Sequence, residues 1–158
     1  MKPRLDLTKV GSGAYHALSA LEGYIHKSSK LEPSLLELVR MRASQINGCA
    51  FCLDMHSKDA RANGETEQRL YALNAWRETP FFTDRERAAL AWTEAITLVS
   101  QSHAPDEVYE EVRQRFSEEE VLNLTLAIAS INSWNRLAIG FRQVPGEYKP
   151  GMYQQQGA

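Results

Sequence analysis

The stretch Glu37-Leu-Val-Arg-Met-Arg-Ala-Ser-Gln-Ile-Asn47-Gly48-Cys49-Ala-Phe-Cys52-Leu-Asp-Met-His56 decides how this chain is read. Its first half carries Leu35, Leu36, Val39 and Met41 at helical spacings, and Pro33 suits the first turn of that helix. Asn47-Gly48 is a stop signal, and a second helix then opens at the cysteines and runs to Asn63-Gly64. Reversal at Asn47-Gly48 packs the two helices antiparallel and brings Glu37 level with the later turns of the cysteine helix. The chain's 2 cysteines both lie in this one C-x-x-C. Structural disulfides seldom bridge so short a loop, so the pair points to chemistry rather than to a staple.

The same periodicity extends outward in both directions. Tyr15, Leu18, Leu21 and Ile25 mark a helix over about Ser12 to Lys27. Thr66 opens another, and Pro80 ends the connection that follows it. Thr83 with Glu86, and Ser117 with Glu120, are capping-box pairs that start helices reaching Val99 and about Arg142. Between them Pro105-Asp106-Glu107 starts a shorter acidic helix. Val121, Leu124, Ile128, Ile131, Trp134 and Leu137 make the last helix central to the core. No alternating strand pattern occurs, so the expectation is an all-α fold: one domain over residues 1–158, of six to seven helices. From about Pro145 the chain turns rich in Gly, Pro and Gln, including Gln154-Gln155-Gln156. That tail is expected to be extended and ordered only against a neighbour.

Composition narrows the function classes. With 43% hydrophobic and 24% charged residues, the chain has the balance of a globular protein. A net charge of −2, with Lys and Arg scattered, gives no electrostatic reason to bind nucleic acid or an anionic membrane. No apolar run approaches the roughly 20 residues that span a bilayer, and the start lacks the apolar core of a secretory signal. The expected location is cytoplasmic, where a C-x-x-C more often serves redox catalysis or metal binding than permanent cross-linking.

On a helix opening at Cys49, the side chains of Cys49, Cys52 and His56 share one face. Unpaired N–H groups and the positive dipole end favour a thiolate there. An unperturbed thiol is only about 3% thiolate at pH 7, so such effects bear on rate. Glu37 is placed to orient His56 and accept its proton, the base-and-orienter arrangement of activated nucleophiles. On helix-dipole grounds alone Cys49 is the low-pKa thiol. Two thiolates, an imidazole and a carboxylate are also acceptable zinc ligands, although structural zinc sites usually draw on two separate ligand pairs. His16, His26 and His103 have no partner pattern, and each is expected at the surface or as a satisfied core residue. Trp76, Trp92 and Trp134 are expected to be core or interface aromatics, with Arg136 as core support.

The spacing of Glu37, Cys49, Cys52 and His56 within residues 35–65 resembles the core of the alkylhydroperoxidase D and carboxymuconolactone decarboxylase family. The segments Ala88-Ala-Leu-Ala-Trp-Thr-Glu94 and Asn132-Ser-Trp-Asn-Arg136 resemble its peroxidase-like branch. The resemblance implies an all-helical thiol peroxidase without metal or other cofactor. It implies that Glu37 and His56 relay the proton from Cys52, that Cys52 attacks a hydroperoxide, and that Cys49 closes the disulfide. It further implies assembly as homo-trimers or hexamers. Re-reduction would come from a dithiol or lipoyl-type partner protein, with a redox adaptor to a peroxiredoxin as the alternative role. Phe51 stands where relatives can carry a polar ring, so a hydrogen bond made there is absent from this chain.

Overall fold

The computed structural model describes residues 2–152, and all regular structure among them is helical. The elements are α1 (Leu7–Val10), α2 (Ser12–Ser28), α3 (Pro33–Asn47), α4 (Ala50–Ala62), α5 (Glu67–Ala72), a 3₁₀ segment (Leu73–Glu78), α6 (Asp84–Thr97), α7 (Val99–Ser102), α8 (Asp106–Arg113) and α9 (Glu118–Phe141). The expected helices are present. Two single turns, α1 and α7, go beyond the periodic pattern because four residues are too few to display it. No helix is long and apolar enough to cross a membrane.

Local chemistry explains the helix ends. Pro33 sits in the first turn of α3, where its missing N–H costs nothing. The helix stops because Gly48 adopts φ 68°, ψ 35°, a left-handed conformation that glycine takes without a Cβ clash. Gly48 N–H then donates to Gln45 O and Cys49 N–H to Ser44 O, closing the carbonyls left open at the helix end. Both capping boxes form, at Thr83 with Glu86 and at Ser117 with Glu120.

Helix α3 is the axis of the domain. Leu35, Leu36 and Val39 join Ile25 of α2, Trp92 of α6, Val112 of α8 and Leu124 and Ile128 of α9 in one cluster. Leu38 and Met41 join Ala60 of α4, Leu70, Leu73, Trp76 and Leu90 in a second. Ala43 joins Cys49, Cys52, Ile131 and Ala138 in a third. A helix contributing to three clusters is covered nearly all round, and Glu37, Arg40 and Ser44 are buried with its apolar residues. Trp76 and Trp92 are core residues as expected, while His16, His26, His103 and Arg136 are exposed. Arg136 serves its own helix, donating to Asn132 O and Oδ1, and does not support the core.

The segment after α9 differs from expectation. It needs no neighbouring chain to order it, because residues 146–151 fold back as a strap onto α4 of the same chain. Lys58 Nζ donates to Gly146 O (3.2 Å) and Tyr148 O (3.1 Å), and Gly146 N–H donates to Asp54 Oδ2 (3.0 Å). The polar character of α4 is what makes this docking possible. Gln154, Gln155 and Gln156 lie outside the described residues.

Ile128 is fully buried where α9 meets the main cluster. Ile128→Ala is expected to destabilise the protein by about 2–5 kcal/mol, measured as a lower urea midpoint at unchanged slope.

Candidate functional site

Cys49 is the N-cap residue of α4 and Cys52 lies in that helix's first turn. The Cys52 N–H points at Cys49 Sγ across 3.4 Å, so the helix terminus directs one of its free amides at this sulfur. Both cysteines are free thiols, 1% and 2% exposed. Phe51 and Trp134 pack against them from α4 and α9, and Tyr15 meets Trp134 edge-on at 5.5 Å between ring centroids.

The sulfurs share polar neighbours as well as each other. A hydrogen bond from the Cys52 thiol lowers the Cys49 pKa to about 7 against the opposing effect of burial, helped by the Cys52 and Phe51 N–H groups and the Asn135 side chain. The same hydrogen bond, together with burial and the charge on Cys49, pushes Cys52 up. Thiolate character at rest therefore belongs to Cys49, as the helix-dipole argument requires. Asn135 is itself fixed: its Nδ2 donates to Ser44 Oγ (3.0 Å) and its Oδ1 accepts from Asn47 Nδ2 (2.9 Å).

Glu37 and His56 meet as their spacing predicts, with Glu37 Oε2 2.8 Å from His56 Nδ1. Both are buried, at 7% and 6% exposure. The other carboxylate oxygen, Oε1, accepts from Arg40 Nη1 at 2.7 Å, and Arg40 Nη2 donates to Glu22 Oε2 at 2.8 Å. Ser130 of α9 closes the chain by donating to Glu22 Oε1 at 2.5 Å. Burial opposes ionisation of Glu37, but the His56 ring and the Arg40 guanidinium outweigh it and hold the carboxyl at about 2. At neutral pH Glu37 is thus an anion that can orient and stabilise a charged imidazole. Retaining the proton would require a far less acidic carboxyl, so holding the ring is the part of the expected role that the geometry favours.

Among the described residues, the one cluster of three or more metal-type ligands is Glu37, His56 and Asp59, with donor atoms within 4.8 Å of one another. Neither sulfur belongs to it, so the zinc set of Cys49, Cys52, His56 and Glu37 does not converge on one point. Glu37 in that cluster is already engaged by the Arg40 cation.

Sequence reasoning did not find Arg40, Glu22, Asp59 or Asn135. Arg40 carried a usable signal, since it stands three residues after Glu37 on the same helix and can therefore reach it. Glu22 and Asn135 come from distant helices and left none.

Fold and site together define an all-helical protein built around a dithiol at a helix N-terminus, with a buried carboxylate and imidazole on its flank. The chain belongs to the carboxymuconolactone decarboxylase family, whose profile matches residues 13–95. It is 44% identical over 139 residues to the uncharacterized protein YdfG of Bacillus subtilis, spanning 88% of this chain and 94% of that one. The crystal structure of ATU0492 from Agrobacterium tumefaciens superposes with a TM-score of 0.89 at 44% identity, covering 93% of this chain and all of the other. That protein is described as of unknown function, with a suggested antioxidant defence role of the AhpD type. An uncharacterized peroxidase-related protein from Silicibacter shares the fold, with a TM-score of 0.75 at 23% identity over 84% of this chain and 70% of its own.

Because the folded Glu37 carboxyl lies below its ordinary 4.5, at about 2, its contribution to stability is complete above about pH 4.5 and is lost as pH falls toward 2. The Glu37→Gln protein is expected to be less stable at pH 7 by roughly 3 kcal/mol. In urea titrations at stepped pH that gap should close between about pH 5 and pH 2; a gap independent of pH would remove the ionised carboxylate as its cause.

Proposed function

We propose that this protein is a thiol-dependent peroxidase and disulfide oxidoreductase, with Cys49 and Cys52 as its redox couple and His56 and Glu37 as the proton relay. The observation that carries the reading is the paired sulfurs at a helix N-terminus, one of them with its pKa held near 7, beside a buried Glu37–His56 pair. Family membership and the suggested antioxidant role of the similar Agrobacterium protein support the same class.

In the first step Cys52 Sγ attacks the terminal peroxide oxygen, forming the S–O bond as the O–O bond breaks. The Cys52 proton passes to His56, and the imidazolium returns it to the leaving oxygen, giving an alcohol or water and Cys52 sulfenic acid. The Cys49 thiolate then attacks that sulfur, the S–S bond forms as the S–O bond breaks, and the departing hydroxide takes up from solvent the proton that Cys49 had released, leaving as water. An external dithiol supplies the two electrons that restore the thiols. Cys49 is well prepared to resolve, since with its pKa at about 7 roughly half of it is thiolate at neutrality. Cys52 is favoured as attacker because His56 lies one turn beyond it on α4, where an acid is needed for the departing oxygen. With both cysteines almost wholly buried, small peroxides should outperform bulky ones. Exposed Tyr24, Leu122 and Ile139 offer apolar surface for the self-association that family membership suggests, which sedimentation would measure.

Reduced protein is expected to consume hydrogen peroxide faster than cumene hydroperoxide, losing two titratable thiols per chain. Cys52→Ser should abolish consumption, and Cys49→Ser should accumulate a trappable sulfenic acid; turnover persisting without Cys52 would defeat its assignment as attacker. Supplying dihydrolipoyl, thioredoxin-type and glutathione reductants in turn identifies the electron donor. Negligible peroxide turnover together with capture of a peroxiredoxin as a mixed disulfide would instead favour the adaptor role.

A further inference from the structure

Asp59 follows His56 by one turn of α4, and the C-terminal strap holds its carboxylate. Tyr148 Oη lies 2.9 Å from Asp59 Oδ1 and 2.8 Å from Oδ2, and Gly151 N–H donates to Oδ1 at 3.3 Å. Tyr148 is buried, at 7% exposure, although it lies in the segment that follows the last helix. Burial and the Asp59 carboxylate push its phenol well above the ordinary range, so its hydroxyl remains a donor throughout the physiological range. The strap cannot easily shift along α4, because Lys58 binds Gly146 O and Tyr148 O while Asp54 accepts from Gly146 N–H.

The arrangement places two carboxylates beside one imidazole. Donor atoms of Glu37, His56 and Asp59 fall within 4.8 Å of one another, yet His56 Nδ1 is paired with Glu37 at 2.8 Å. The remaining charged and titratable groups around the ring are Arg40 on α3 with Glu22 of α2 behind it, Cys49, Cys52, Asp54 and Lys58 at α4, and Tyr148 on the strap. Among them, Tyr148 and Gly151 are the groups that occupy Asp59.

Resting on the relay reading above, we infer that Tyr148 is a positioning residue: its hydroxyl holds Asp59 off the His56 ring, leaving the imidazole paired with Glu37 alone. Two anionic partners would stabilise the imidazolium more than one. A ring that retained its proton into the neutral range would no longer be free to take one from a thiol. By restraining Asp59, the strap keeps the second carboxylate off the ring. The C-terminal segment thus belongs to the active site although it contributes no group to the sulfur chemistry.

Tyr148→Phe keeps the packed ring and removes the hydroxyl, and with it the bond that Gly151 N–H donates to Oη at 3.2 Å; the Asp59→Asn background separates the two contacts. The ring titration of His56, followed by NMR and assigned by its loss in His56→Gln, is expected to shift upward by about one pH unit in Tyr148→Phe. Adding Asp59→Asn should cancel that shift, leaving the double variant indistinguishable from Asp59→Asn alone. A His56 midpoint unchanged in Tyr148→Phe would overturn the inference, even if the melting temperature fell, and so would a shift that survives in the Asp59→Asn background. The NMR titration needs no peroxide, so absence of peroxidase activity would count against the proposed function and leave this outcome readable.

Discussion

A carboxylate buried on a central helix is the constraint from which the site follows. Helix α3 feeds all three apolar clusters, every residue from Leu35 to Met41 is buried, and a charge at Glu37 must find its partners inside the protein. An unpaired buried carboxylate would cost several kcal/mol or take up a proton. The chain meets this with a line that starts at the hydroxyl of Ser130 and runs through Glu22, Arg40 and Glu37 to His56. Four elements, α2, α3, α4 and α9, are tied together by it. Their packing fixes the angle at which α4 presents its cysteines.

Much of this was legible in the sequence, for identifiable reasons. The helices around Leu35 to Met41 and Val121 to Ile131 announce themselves by periodicity, and the capping boxes at Thr83 and Ser117 by local chemistry. Glu37 and His56 could be paired because two antiparallel helices joined at Asn47-Gly48 leave little freedom of register. What stayed hidden depends on contacts between distant parts of the chain. Asn135 reaches Ser44 from 91 residues away, and Glu22 reaches Arg40 from 18. The Gly- and Pro-containing segment after α9 looked free because its anchors, Asp54, Lys58 and Asp59, resemble the solvated face of an ordinary helix.

The dithiol shows how two local rules divide one site between them. Position at the helix terminus favours a negative charge on Cys49, and the N–H of Cys52 and the amide of Asn135 reinforce that preference. Proximity to a proton carrier favours Cys52, because His56 stands one turn further along the same helix. In the proposed cycle these preferences do not compete, because they fall on different steps. A thiolate already formed is useful to the resolving sulfur, which must attack promptly before further oxidation of the sulfenic acid. A nearby acid is useful to the attacking sulfur, whose reaction must expel an oxygen anion.

The low pKa of Glu37 bears directly on the proposed relay. A carboxyl at about 2 is a poor resting place for a proton, but it stabilises an imidazolium that forms beside it and fixes the ring's orientation. In the proposed cycle the proton taken from Cys52 is held on His56 rather than on Glu37, ready for the departing oxygen. Arg40 matters because its guanidinium on Oε1 adds to the effect of the His56 ring in holding the buried carboxyl low. The charge network that stabilises a buried helix is thus the same one that supports the proposed direction of proton transfer.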